Sequence, residues 1–229
     1  MARKPHSTPP QDPPRSDREK IIDAFMALLA EKPIEVIGFG EIAARAGVPL
    51  TQCRAEFGSV LAVLAAHAKA IDRAVLAGGD GDMTEEPPRE RLFDVLMRRI
   101  EALAPHKAAM RSLIRSTLRN PGLALAVNPI AVRSQSWMLT AADIDAAGPR
   151  GMVRAQGLAC LFASVLRTWA DDEDPGMART MAALDRALAS GQRWSGWLDD
   201  LCRLSPTRCR PRRSRRPADR EGDEPVVAA

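Results

Sequence analysis

Ile21, Ile22, Phe25, Leu28 and Leu29 fall at i, i+1, i+4, i+7 and i+8, which lays one apolar stripe along a first helix. Asp17 is placed to cap its start, and Pro33 ends it because proline lacks the amide a continuing helix would use. The segment Gly40 to Ala46 predicts a second helix with Ile42, Ala43 and Ala46 inward, and Gly47 supplies a turn after it. Pro49 suits the first turn of a third, very short helix that reaches about Phe57. Ser59 then caps a longer helix, Val60 to Leu76, with Leu61, Leu64, Ala68, Ile71 and Val75 on one side. The stretch GGDGDMTEEPP breaks the chain there.

A second block repeats the pattern. Leu92, Phe93, Leu96, Met97, Ile100 and Leu103 share a helical face, and Pro105 opens a helix bearing Met110, Leu113, Ile114 and Leu118. Pro121 closes that pair. A further helix is predicted from Leu123 to about Ala142, kinked or interrupted at Pro129, with Trp137 and Met138 in the core. Two long helices follow, about Gly151 to Trp169 and Pro175 to about Leu204, with Gly191 a point of interruption. The acidic run Asp171 to Asp174 between them reads as capping and dipole complementation for the last helix, and no metal site is expected.

Composition agrees with helices. The chain has 229 residues, 45% apolar, enough for a core, while aromatics make up 4% and Tyr is absent, so few or no strands are expected. Residues 1–17 hold five prolines among polar side chains, and the run from Ser205 onward mixes prolines with charges, so both ends are expected to be flexible. The expected fold is all-α: a three-helix head over 18–76, joined by a long helix to a C-terminal bundle of about five or six helices over 84–204. Tails at 1–17 and 205–229 flank it. No apolar run has the length of a membrane span or a signal peptide, which points to the cytoplasm with no membrane contact. Cys53, Cys160, Cys202 and Cys209 show no metal-ligand spacing and read as reduced thiols. No cofactor is expected. His6, His67 and His106 belong to no catalytic signature, and there is no phosphate loop, HExxH or GxSxG, so no catalytic residue is assigned and no enzyme is expected. His67 falls on the long fourth helix and His106 near a helix start, both in structural or solvated roles.

The sharpest signal is FGEIAARAGVPLTQCRAEFGS: a helix, a glycine turn and a short second helix of a size that fits a DNA major groove. With its neighbours it resembles the N-terminal domain of the TetR family over residues 18–76, through Ile42-Ala43, Ala46-Gly47-Val48 and Phe57. The resemblance implies a homodimeric transcription regulator, a repressor, bound to a double-stranded operator and released by a small effector in the body. It places the DNA contacts at Pro49, Leu50, Thr51, Gln52 and Arg54, with Arg45 of the preceding helix on the backbone. Gln suits an adenine edge, Arg a guanine or a phosphate, and the Thr methyl a thymine methyl. Three positions depart from the family pattern: Arg54 stands where an aromatic phosphate contact is usual, Glu56 precedes the Phe, and Val60 replaces the usual Lys. From Glu19 to Leu76 there are six cations (Lys20, Lys32, Arg45, Arg54, Lys69, Arg73) and seven anions (Glu19, Asp23, Glu31, Glu35, Glu41, Glu56, Asp72), so this stretch of the head carries −1. Six arginines between Arg208 and Arg216 exceed the whole formal charge of +4. A head of that sign needs help from a dimer and from the basic tails to hold a polyanion.

The C-terminal block, over roughly residues 88 to 200, resembles the lipid-binding accessory protein of ubiquinone biosynthesis, which has a TetR-like architecture. That resemblance implies the alternative function, a non-enzymatic lipid-binding or membrane-associated protein with a degenerate head. Trp194, Trp197, Leu198, Leu201 and Leu204 would form its amphipathic face, although a body or dimer seam is the commoner role for such a stripe. Dimerisation is expected through the last two helices. Candidates for lining an apolar effector pocket are Phe93, Met97, Met110, Trp137, Met138, Phe162 and Trp169, most of which also suit a plain core.

Overall fold

The computed structural model describes residues 16–79 and 86–204, with side chains described as far as Gly191. The tails expected at both ends lie outside the described residues, apart from Ser16 and Asp17. Nine α-helices and no strand occur among the described residues, as the composition predicts.

Four helices build the N-terminal part. Helix α1 (Asp17–Glu31) is capped by Ser16 rather than Asp17: the Ser16 hydroxyl accepts from the Glu19 amide, and the Glu19 carboxylate accepts from the Ser16 amide. This reciprocal box satisfies two amide donors, which a cap at Asp17 would not do. Lys32 closes the helix ahead of Pro33, and the short α2 (Phe39–Ala46) follows a 3-10 turn at Ile34–Val36. Helix α3 (Leu50–Glu56) has seven residues, and α4 (Val60–Ala77) starts where the Ser59 hydroxyl accepts from the Ala62 amide.

The remaining five helices form the body. Helix α5 (Pro88–Leu103) runs through a 3-10 turn at Ala104–His106 into α6 (Lys107–Arg119). Pro105 therefore sits in the turn and not at the head of α6. Asn120 caps α7 (Pro121–Ala141), which passes through Pro129 without a break. Pro129 is exposed, and the carbonyl its ring leaves without a donor belongs to Leu125, itself 76% exposed, so water is at hand. Helix α8 is Gly148–Ala170, and α9 is Ala178–Leu204, continuous through Gly191. The last helix begins three residues later than Pro175 suggests. Asp174 accepts from the amides of Gly176 and Ala178, and buried Asp172 accepts from the amide and hydroxyl of Thr180, at 2.9 and 2.6 Å. The acidic run thus caps α9 from a turn that includes Pro175. These bonds hold the Asp172 carboxyl below its ordinary pKa, the Thr180 hydroxyl contributing most.

Two apolar clusters hold the chain together. The first joins Ile21, Phe25 and Leu29 of α1 to Ile42, Cys53, Phe57, Val63 and Leu64, and also takes in Ala109 and Leu113 of α6. The second joins Ile71 and Val75 of α4 to α5, α7, α8 and α9 through Leu96, Ile100, Met138, Phe162, Val165, Trp169 and Leu184. Helix α4 belongs to both, and α6 lies along α1, where the Ser112 hydroxyl donates to the Lys32 carbonyl at 3.1 Å. One core expectation fails: Trp137 is 50% exposed. The buried stripe of α7 consists of Ser134, Gln135, Met138 and Leu139, so two polar residues take core positions and Trp137 turns to the surface.

Polar groups are buried where α4 meets the body. Arg99 of α5 donates to Asp72 of α4, and the Ser134 hydroxyl donates to the same carboxylate oxygen. The Arg99 guanidinium also stands 5.9 Å over the Phe162 ring. Higher on α4, His67 meets His106 edge to face, with ring centroids 4.7 Å apart. His67 is 5% exposed and its Nε2 has no hydrogen-bond partner. Burial, then the proximity of His106 and Arg99, lowers its pKa from 6.5 to about 4. Burial lowers His106 as well, opposed by Asp23 of α1.

Two stability measurements follow from these groups. Between pH 6.5 and about 4 the unfolded chain protonates a histidine that the folded chain keeps neutral, so stability falls as pH falls through that window. The full loss attributable to His67 is about 3 kcal/mol. Urea unfolding at pH 7 and pH 4.5 should show it, and His67→Gln should flatten most of the slope; an unchanged slope would refute this account. Asp72→Ala leaves the Arg99 charge buried and unpaired and should cost about 3–5 kcal/mol. Adding Arg99→Met should restore a large part, and a double variant no more stable than Asp72→Ala would count against the pairing.

Candidate nucleic-acid interface

The helix-turn-helix depends on its glycine. Helix α2 ends at Gly47 with φ +64, a left-handed conformation that costs other residues roughly 1 kcal/mol or more. In that geometry the Val48 amide reaches back to the Ala43 carbonyl at 3.1 Å, so the chain turns at once and Val48 enters the core. Pro49, extended, leads into α3.

Seven residues are too few for a helix to hold by itself, so α3 is fixed by its inward side chains. Cys53 is fully buried and Phe57, its C-terminal cap residue, is buried as well, both in the first cluster. Burial pushes the Cys53 thiol pKa up. With those two turned in, Pro49, Leu50, Thr51, Arg54 and Ala55 face solvent and Gln52 is half-buried. Leu50 is 56% exposed.

The cations around this face are mostly engaged. Arg45 grips Glu31 with both terminal nitrogens, at 2.8 and 3.0 Å. This fork lowers the Glu31 carboxyl pKa and raises that of Arg45. Lys32 pairs with Glu41, which Lys32 and then the Gly38 amide hold below its usual pKa. Lys20 pairs with Asp17 at 2.8 Å, and Arg18 with Glu56 at 3.2 Å. Arg54 has no ion-pair partner among the described residues, and its Nη1 lies against Gly58. The Arg18 guanidinium sits 4.6 Å over the Phe57 ring. Arg18 and Glu56 are 38 positions apart, and no local spacing in the sequence reveals that pair.

The residues named for an effector pocket are spread over the body. Met138, Phe162 and Trp169 are buried in the second cluster, where Lys107 stands 5.4 Å over the Trp169 ring. Phe93 and Met97 are half-buried against that cluster, and Met110 touches both clusters. Trp137 lines an open surface cleft with Ser136, Thr140, Asp143, Ile144 and Asp145. The backbone of α9 continues to Leu204, but the side chains of Trp194, Trp197, Leu198, Leu201 and Leu204 lie outside the described residues. No helix among the described residues is long and apolar enough to cross a membrane.

No protein-family model matches this sequence, and no curated protein matches it. Solved structures do. The chain is similar to a TetR transcriptional regulator from Nitrosomonas europaea, with TM-score 0.60 and 22% identity over 78% of this chain and 99% of that one. It is also similar to a TetR transcriptional regulator from Rhodococcus sp. RHA1, with TM-score 0.54 and 22% identity over 77% of this chain and 94% of that one. A TetR-family regulator from Streptomyces coelicolor matches with TM-score 0.52 and 17% identity, over 81% and 84% of the two chains. The fold is therefore TetR-like, as the helix-turn-helix residues imply.

Gly47→Ala tests the turn. A Cβ at this position meets nothing within 4 Å, so only backbone strain is added. Urea unfolding should show a loss of about 1 kcal/mol, and a stabilised variant would mean that the turn relaxes without its left-handed residue.

Proposed function

We propose that this chain is a dimeric, non-enzymatic, DNA-binding transcriptional regulator, a repressor, acting in the cytoplasm. The observation that carries this reading is the outward face of α3. A seven-residue helix is pinned by Cys53 and Phe57 so that Pro49, Leu50, Thr51 and Arg54 project from the bundle, with Gln52 at their edge. A rod of that size presenting short polar side chains and one free guanidinium suits a major groove. Likeness in fold to three regulators supports the same reading.

In this scheme residues 18–76 are the DNA-binding domain and 84–204 the effector and dimerisation domain. Thr51, Gln52 and Arg54 reach base edges or phosphates, Pro49 approaches the backbone, and Arg45 exchanges Glu31 for a phosphate. Two copies join through α8 and α9, where Met152, Val153 and Met181 are exposed apolar side chains. An apolar effector enters at the second cluster, among Phe93, Met97, Met110, Met138, Phe162 and Trp169 and apart from Trp137, and its binding favours a head separation that no longer fits the operator.

Operators selected from a pool of random duplexes, then titrated by fluorescence anisotropy, test the assignment. Gln52→Ala and Arg54→Ala should each weaken binding about tenfold, or about 1.4 kcal/mol, at the lower end of the range of about 1–3 kcal/mol for a base contact. Wild type and both variants binding equally weakly at low salt would end the DNA reading. Copurified lipid in that outcome would favour the lipid-binding alternative.

A further inference from the structure

We propose that Arg18, at the start of α1, forms a second phosphate contact with Arg54, the two guanidinium groups flanking the turn between α3 and α4. This rests on the DNA-binding reading and extends it to a residue outside the helix-turn-helix. The position that opens α4 is Val60, whose side chain has no charge or donor to offer a phosphate oxygen. Space supplies a cation that the sequence lacks there. Arg18 reaches across from α1 until its guanidinium lies over the Phe57 ring, while the Arg54 guanidinium, exposed on α3, comes near Gly58, the next residue. The two groups therefore come to adjacent residues at the end of α3.

The stack explains why an arginine suits this place. Phe57 is buried, so its ring is a fixed platform, and an arginine stacked on it keeps its fork of N–H donors directed outward. Glu56 holds that fork at 3.2 Å, in a pair whose side chains are 48% and 31% exposed. An exposed pair of that kind contributes at most about 1 kcal/mol, whereas a phosphate on DNA offers bidentate geometry and a stronger field. Arg18 can therefore pass from Glu56 to a phosphate with little loss. Glu56, the anion paired with Arg18, opposes DNA until that exchange happens.

Salt-dependent binding tests this with the full-length protein and a 5′-labelled 30-base-pair duplex of random sequence, followed by anisotropy from about 20 to 200 mM salt. Arg18→Ala should weaken binding about five- to tenfold on every duplex and reduce the slope of log affinity against log salt by about one per head. Arg18→Lys should keep the slope, and Glu56→Gln should tighten binding several-fold. Circular dichroism and a thermal midpoint within a few degrees of wild type establish that the variants are folded. The Glu56→Gln gain provides a readout that loss of structure cannot imitate. A wild-type slope in Arg18→Ala, alongside a reduced slope in Arg54→Ala, overturns this inference and leaves the DNA reading standing. A wild type that binds no duplex at low salt overturns both.

Discussion

The insertion of Cys53 and Phe57 into the first apolar cluster is the constraint on which the outer surface of the head depends. An isolated helix of seven residues has no stability in water, because nucleation costs more than so few hydrogen bonds return. Helix α3 therefore exists only where α1, α2 and α4 hold it, and its direction is that of its two anchors. Once they point inward, the four-residue periodicity leaves Leu50, Thr51 and Arg54 with nowhere to go but solvent. The Gly47 turn completes the constraint by fixing where α3 begins.

The same head is electrostatically reserved. The count of −1 over Glu19 to Leu76 follows from composition, but the structure shows how the charges are arranged. Arg45, Lys32, Lys20 and Arg18 each face a carboxylate from their own bundle, so the field around α3 is weaker than these four cations would give if unpaired. Every one of these pairs is at the surface and weak by itself. They are better seen as a set of exchangeable partners than as sources of stability.

Much of this was legible in the sequence, and what escaped has physical causes. Pro33, Gly47, Pro49, Ser59 and Pro121 act through their own backbone or nearest neighbours, so helix ends near them are read within a few residues. The start of α9 was displaced because Pro175 joined a turn governed by Asp172 and Asp174, whose partners lie several positions on. Trp137 escaped because hydrophobicity alone placed it inside, whereas Ser134 and Gln135 hold the inward face of α7. The exposed face of α3 followed from a family pattern; the partners of its cations did not. Glu31 lies 14 positions from Arg45 and Glu56 lies 38 from Arg18, distances that only tertiary structure closes.

Two elements link the apolar clusters, and this bounds how the body can speak to the head. Helix α4 places Val63 and Leu64 in the first cluster and Ile71 and Val75 in the second, while Met110 of α6 touches both. Where α4 passes from one to the other, the contacts become polar and specific: His67 against His106, then Asp72 with Arg99 and Ser134. Apolar contacts tolerate small sliding, but a buried carboxylate holding a guanidinium and a hydroxyl at one oxygen does not, because each partner lost is a buried group left unsatisfied. Helix α4 is thereby held in register with α5 and α7, so any displacement of α4 against the body has to break this polar junction as well as slide the apolar surface around it.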